Sequence, residues 1–321
     1  MDSADDRLAW LLDSDPAIRW QVLGDLADAP PDEVAAERAR VAHEGWGAQL
    51  LALQDSDGRW DGGTYRPGWV DDSRPFYDAW TGTHFSVQSL RDYGVDPVDP
   101  VVRAAIERVR SGVNWGAEDG GGPYFEGTPE PCMAGVLLGN SVYFGQDGSA
   151  TLWSLLETQL ADGGWNCEDS HVGSFNSTIC ALEGLLDWEI AADDGDAFHE
   201  SVQEARLRGE EYLLERRLLW RQSSGELVDP RFAMPSYPVR WYYDVLRGLD
   251  YFRRARPHGE ERAADAVRLL RSKADSQGRW RNENKHKGAT PFRMAGDWED
   301  SPSPWVTLRA LRVLRWADTL G

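Results

Sequence analysis

Cys132, Cys167 and His171 supply two thiols and an imidazole, and His84 adds a second imidazole. These are the donor types zinc prefers, and three such ligands leave a fourth position open for water. Cys180, set in Thr178-Ile179-Cys180-Ala181-Leu182, reads instead as core. A second candidate chemistry is acidic. Asp71 and Asp72 are adjacent, and like charges disfavour double ionisation, so one of such a pair can hold a proton for general-acid work. The same pair also serves as an ordinary helix-capping acid in a surface loop. His84, preceded by Thr83, and Asp244, four residues after Arg240, complete the candidate catalytic groups. Trp80, Phe175, Trp241 and Trp305, with Arg240, are the candidate substrate-contacting residues. Arg309, Arg312 and Arg315 recur every three residues and form one helical stripe, the pattern of a face that pairs with neighbouring acids.

Something must position these groups, and the totals narrow what it is. The 321 residues carry 54 acidic and 34 basic side chains, a formal charge of −20. A surface of that sign repels phosphate backbones and anionic headgroups, so nucleic acid is a poor partner. No apolar run reaches the roughly 18 residues of a membrane span, and the start Met1-Asp2-Ser3-Ala4-Asp5-Asp6 is acidic where a secretory leader is basic. With only three cysteines, too few for a disulfide framework, the expectation is a cytoplasmic protein. Sixteen tryptophans are the anomaly. They imply either a repeated packing motif or an aromatic-lined cavity.

A repeat is present. Gln54-Asp55-Ser56-Asp57-Gly58-Arg59-Trp60, Gln159-Leu160-Ala161-Asp162-Gly163-Gly164-Trp165 and Ala274-Asp275-Ser276-Gln277-Gly278-Arg279-Trp280 align on Gly-x-Trp, with eroded copies at 115–122 and 222–229. The spacing is that of helical hairpins, about six in all. Helices are expected before each signature, at 31–54, 99–112, 147–160, 199–222 and 258–274. Others follow it, at 75–93, 130–145, 174–191, 236–255 and 302–320, and 5–13 with 16–28 form a sixth pair. Asp15-Pro16, Asp99-Pro100 and Ser303-Pro304 read as caps followed by a first-turn proline. The glycine of each signature is expected to stop the preceding helix. The first set carries charge, as in Glu200, Glu204, Arg208, Glu211 and Glu215, and the second is more aromatic. The expected fold is therefore all-α, a single (α/α)6 toroid spanning 1–321 with the charged helices outside.

The Gln-x-x-Asp-Gly-x-Trp elements resemble the repeats of squalene–hopene cyclases and protein prenyltransferase β subunits. Asp162-Gly163-Gly164-Trp165-Asn166-Cys167 and Asp244-Val245-Leu246-Arg247-Gly248-Leu249-Asp250-Tyr251-Phe252 look like small bacterial proteins of that repeat family. The resemblance covers nearly the whole chain and implies a toroid with a central cavity for an isoprenoid or similarly apolar molecule, whose carbocations aromatic faces stabilise. It also departs from the family. The Asp-x-Asp-Asp acid of the cyclases is absent, with Asp71-Asp72 and Asp193-Asp194-Gly195-Asp196 its nearest approaches, and there is no room for a second helical domain. The prenyltransferases hold zinc by Asp, Cys and His in another order, although consecutive repeats of a ring would bring Cys132, Cys167 and His171 close to one another. Two alternatives stand beside the isoprenoid reading: acid–base chemistry on a carbohydrate, and a toroid that binds a ligand without catalysis.

Overall fold

A computed structural model describes residues 4–71, 79–193, 195–296 and 301–320. Among these the chain is all-α, with thirteen α-helices, short 3-10 turns and only isolated β-bridges. Along the chain run α1 (Ala4–Leu12), α2 (Pro16–Asp25), α3 (Pro31–Ala39), α4 (Gly45–Ala52), α5 (Thr83–Tyr93), α6 (Pro100–Gly112) and α7 (Pro131–Tyr143). They are followed by α8 (Ser149–Glu157), α9 (Phe175–Ala191), α10 (His199–Glu215), α11 (Val245–Ala255), α12 (Ala264–Ser272) and α13 (Pro304–Ala317). None of the described helices is long and apolar enough to cross a membrane.

The helices sort into two sets. In α6 only Val102, Ala105, Ile106 and Val109 are buried, one stripe at helical spacing, and the rest, including all four charged residues, is not. In α7 every residue from Cys132 to Ser141 is buried. The inner set is α2, α5, α7, α9, α11 and α13. Its tightest pair is α7 with α9, where a Cβ on Gly135 would lie 2.1 Å from the Cys180 carbonyl oxygen. The neighbours form a circuit that returns to its start. Trp20 Nε1 and Gln21 Nε2 of α2 donate to the carbonyls of Tyr93 and Asp92 at the end of α5. Arg312 of α13 donates to Gln21, and Arg315 pairs with Asp28. Outside, Arg279 of the last signature lies over the Trp10 ring of α1.

The signature is the joint between the two sets. Each tryptophan indole donates to a carbonyl ten residues earlier, at the end of the outer helix: Trp60 to Leu50, Trp165 to Leu155 and Trp280 to Leu270, at 2.7–2.8 Å. Each tryptophan N–H donates to a threonine of the following inner helix, Thr83, Thr178 or Thr307, at 2.9–3.1 Å. The glutamine spans to the next outer helix: Gln54 Nε2 donates to Ala105, and Gln159 Nε2 to Ala205. Gly163 sits at φ 85°, and a Cβ there would lie 2.5 Å from the Arg208 carbonyl oxygen, so only glycine fits.

The caps at Asp15, Asp99 and Ser303 accept backbone N–H groups as the sequence implied. Four boundaries differ. The glycine expected to end each outer helix lies in the turn beyond it: α8 ends at Glu157, and Gly163 closes a turn onto Leu160. The expected helix 31–54 breaks into α3 and α4, because Gly45 takes φ 63°. The expected helix 236–255 starts only at Val245. Pro238 follows a cis peptide, Arg240 has φ 56°, and Asp244 is the cap. Of the expected helix 75–93, residues 75–78 lie outside the described residues, 79–82 are loop, and α5 starts at Thr83 with Gly82 at its cap. Trp80, Trp241 and Tyr242 therefore lie in loops before inner helices.

Candidate functional site

A cavity of about 660 Å³ opens where the final turns of α2, α5, α7, α9 and α11 meet the first three turns of α13. Its floor is made by Tyr237 and Val239 of the 236–244 loop, with Trp305 from the first turn of α13 and Gln88 of α5. Six arginines line it: Arg38, Arg91, Arg253, Arg254, Arg309 and Arg312. Five carboxylates face them: Asp25, Asp92, Glu183, Asp187 and Asp250. Most are paired. Arg253 and Arg309 share the Asp250 carboxylate at 2.8 and 3.1 Å and, with Arg312 nearby, hold it ionised well below the ordinary range against the effect of burial. Arg312 takes Asp25 at 2.5 Å, and Arg254 takes Asp187.

The floor loop is fastened from beneath. The buried Asp244 carboxylate accepts the N–H and hydroxyl of Ser236 and the N–H of Arg247. The fully buried Arg247 makes two hydrogen bonds to Glu183 of α9 and donates to the Tyr242 carbonyl at 2.7 Å. Glu183 is thereby kept ionised despite its burial. Removing one member of so buried a pair leaves the other charge uncompensated, which typically costs about 3–5 kcal/mol.

Asp92 stands apart. Among the described residues no donor hydrogen-bonds its carboxylate, and the Arg91 Nε lies 3.9 Å away. About a quarter (24%) of the side chain remains open. Burial raises its pKa above the ordinary 3.8, with Arg91 and Arg309 acting in the opposite sense. A carboxyl with a raised pKa beside others held ionised is the pattern of an acid–base site.

A second cluster lies at the N-terminus of α7. One ligand atom each from Glu130, Cys132 and Cys167 lies within 4.8 Å of the other two. The Cys167 Sγ accepts the Cys132 N–H at 3.3 Å and sits 3.2 Å from the Ser177 hydroxyl. Its hydrogen bond with Cys132 lowers the Cys167 thiol's pKa and raises that of Cys132, setting the two thiols apart. Tetrahedral sites with bonds of about 2.0–2.3 Å place ligands roughly 3.3–3.8 Å apart, so the trio needs to close only slightly around an ion. This group could hold a metal.

The other expected residues are placed as follows. His171 is exposed on the loop before α9, outside the thiol cluster, and the third donor beside the cysteines is Glu130. His84 is 1% exposed, 3.2 Å from the Tyr124 hydroxyl and packed among Tyr65, Phe85 and Trp115; burial pushes its pKa down to about 3. It is a neutral core histidine away from both clusters. Asp244, with its oxygens engaged, is a helix cap. Phe175 packs with Tyr212, Phe232 and Tyr243. The Trp80 indole donates to the Lys287 carbonyl, and Arg240 lies over its ring. Trp241 stacks on Tyr242 at 3.8 Å. Of the five substrate-contacting candidates, Trp305 lines the cavity. Asp71 precedes the undescribed stretch 72–78, and Asp72 lies outside the described residues. Sequence reasoning missed Asp92, Tyr237 and the carboxylates Glu183 and Asp187. The available signal was charge at helical spacing inside otherwise apolar segments such as Leu182-Glu183-Gly184-Leu185-Leu186-Asp187.

No family model and no curated protein matches the sequence. The crystal structure of a protein from Actinoplanes is similar with a TM-score of 0.46 at 17% identity, covering 95% of this chain and 91% of that one.

Proposed function

We propose that the chain is an enzyme built as a closed (α/α)6 toroid, which takes a polar small molecule into its central cavity and uses Asp92 as an acid–base group. The observation that carries this is Asp92 itself, a cavity carboxyl with a raised pKa and, among the described residues, no hydrogen-bond donor of its own. The lining favours a polar occupant, because a hydrocarbon would strip water from charged groups without replacing its hydrogen bonds. The carbohydrate reading suits that environment. An isoprenoid is the second reading, supported by the Tyr237–Trp305 ring stack at the floor, which Tyr93 backs from outside the cavity lining. Glu130, Cys132 and Cys167 would hold zinc, where the ion would supply Lewis-acid character or a structural tie between α7 and the loop before α9.

The test is hydrolysis of a panel of nitrophenyl glycosides by the full-length protein and by Asp92→Asn. Turnover that falls by about 10²–10⁴ in the variant is the expected result for loss of a general acid or base. Turnover at wild-type rate in Asp92→Asn removes Asp92 from the chemistry. Turnover of a prenyl diphosphate instead of any glycoside moves the second reading to first.

A further inference from the structure

We propose that the cavity floor is an acceptor site for the carboxylate of a small monoanion, gripped by the edge of the Trp305–Tyr237 stack. This deepens, and rests on, the reading of the cavity as a polar ligand site. Three residues that line the cavity each carry a buried donor with no hydrogen-bond partner among the described residues: the Trp305 Nε1–H, the Tyr237 hydroxyl and the Arg312 Nε–H. Trp305 is 3% and Tyr237 6% exposed, so bulk water does not satisfy them. Buried polar groups are otherwise almost always paired. Three orphans around one cavity have a common explanation if a ligand completes them. Indole and guanidinium N–H groups can only donate, so the ligand must accept.

The ring geometry says which part of Trp305 meets the ligand. Tyr237 stacks on it at 4.3 Å and 19°, and Tyr93 at 5.9 Å and 28°. With its faces occupied by rings, the indole offers its edge, where the N–H is. Trp305, Arg309 and Arg312 follow one another at steps of four and three, so they share a face of α13. At 1.5 Å per residue they run about 10 Å from floor to rim. A ligand lying along this face meets neutral donors at the floor and guanidiniums above them.

Charge selects among acceptors. Six guanidiniums outnumber the five carboxylates of the wall, inside a chain of net charge −20, and the helix C-terminal ends set against them keep the positive excess small. A single carboxylate neutralises that excess. A phosphate dianion exceeds it and is repelled by the carboxylates close by.

Calorimetric titration of the full chain tests this with four probes: D-glucuronate and phenylacetate as monocarboxylates, D-glucose as a neutral molecule and glucose 6-phosphate as a dianion. The expected result is binding of at least one monocarboxylate, weakened about tenfold or more in Tyr237→Phe, since a hydrogen bond to a charged group is lost. Trp305→Phe, which keeps a ring and removes the N–H, weakens it likewise. The melting temperature of ligand-free Tyr237→Phe stays level or rises, because the variant deletes an unpaired buried hydroxyl. A fall in that temperature shows the hydroxyl already partnered and overturns the proposal, as does unchanged affinity in both variants. Tighter binding of glucose 6-phosphate overturns the carboxylate. Equal binding of D-glucose and D-glucuronate overturns the anion yet leaves the polar cavity standing. Silence from all four probes overturns the floor site, while the role of Asp92 is judged separately by glycoside turnover.

Discussion

Thr178→Val perturbs the signature joint at one atom. Thr178 and Trp165 are both fully buried, and the threonine Oγ1 accepts the Trp165 N–H at 3.0 Å. Valine keeps the shape and removes the acceptor, leaving a backbone N–H unpaired in the core at a cost of about 1–3 kcal/mol. Thr307→Val removes the equivalent acceptor of Trp280. Thr83→Val removes that of Trp60 and also a 2.7 Å bond donated to Gly63, so it belongs at the upper end. The three sites lie on α5, α9 and α13 and share no partner, so a triple variant should lose their sum within about 0.5 kcal/mol. Thr158→Val is the control: its hydroxyl is exposed on an outer helix end and bonds only locally, so it should stay within about 0.5 kcal/mol. Urea unfolding followed by circular dichroism and by tryptophan fluorescence, with coincident curves and unchanged slope, gives the differences. Core variants indistinguishable from Thr158→Val would refute the reasoning, since the tryptophan N–H would then have no need of the threonine.

Two further outcomes can be checked. Metal analysis of the purified full chain should find zinc at about one ion per molecule, lost in Cys132→Ala and in Cys167→Ala and retained in His171→Ala, which lies outside the cluster; loss in the histidine variant, or retention in both cysteine variants, identifies another donor set. His84 has a folded pKa of about 3 against 6.5 when unfolded, so as pH falls the unfolded chain takes the proton first, and His84 withdraws about 1.4 kcal/mol of stability per unit from pH 6.5 towards 3. His84→Gln lacks that contribution, and its unfolding free energy should fall less steeply with acid than the wild type's; parallel curves would contradict a buried neutral histidine.

The scaffold was legible because its signals are local. A tryptophan ten residues past a helix-end carbonyl makes the same bond in three copies, and aspartate or serine before proline caps a helix wherever it occurs. The 236–244 segment misled for the same reason. Trp241-Tyr242-Tyr243 has the aromatic content of the inner helices, yet Pro238 and the positive φ of Arg240 make it the cavity floor. Treating consecutive repeats as neighbours sufficed to bring Cys132 and Cys167 together. It could not choose between Glu130 and His171, because which side of a loop faces a helix start is a tertiary fact. The arginine stripe was half legible. Arg309 and Arg312 do pair with acids, Asp250 and Asp25, but that they also wall a cavity depends on the angle at which α13 presents them.

That angle also bears on what the cavity charges are for. Five inner helices, α2, α5, α7, α9 and α11, reach the cavity with their final turns, so their C-terminal dipole ends converge there, each worth roughly half a negative charge. Arginines at such a place need no ligand to explain them. Arg91, Arg253 and Arg254 stand in last turns, where a cation is stabilising, and several have carboxylate partners besides. Stability therefore accounts for most of the cavity's arginines. It does not account for Asp92. A carboxylate in the last turn of α5 adds to the negative end of a helix, and burial disfavours its charge further. Among the described residues no hydrogen-bond donor offsets either cost. Nor does stability account for the Tyr237 hydroxyl and Trp305 N–H, buried at the floor without partners. A cavity acid at a helix C-terminus and two donors without a partner among the described residues are a stability cost that the proposed ligand would relieve, and these three groups, rather than the more numerous arginines, point to a bound molecule.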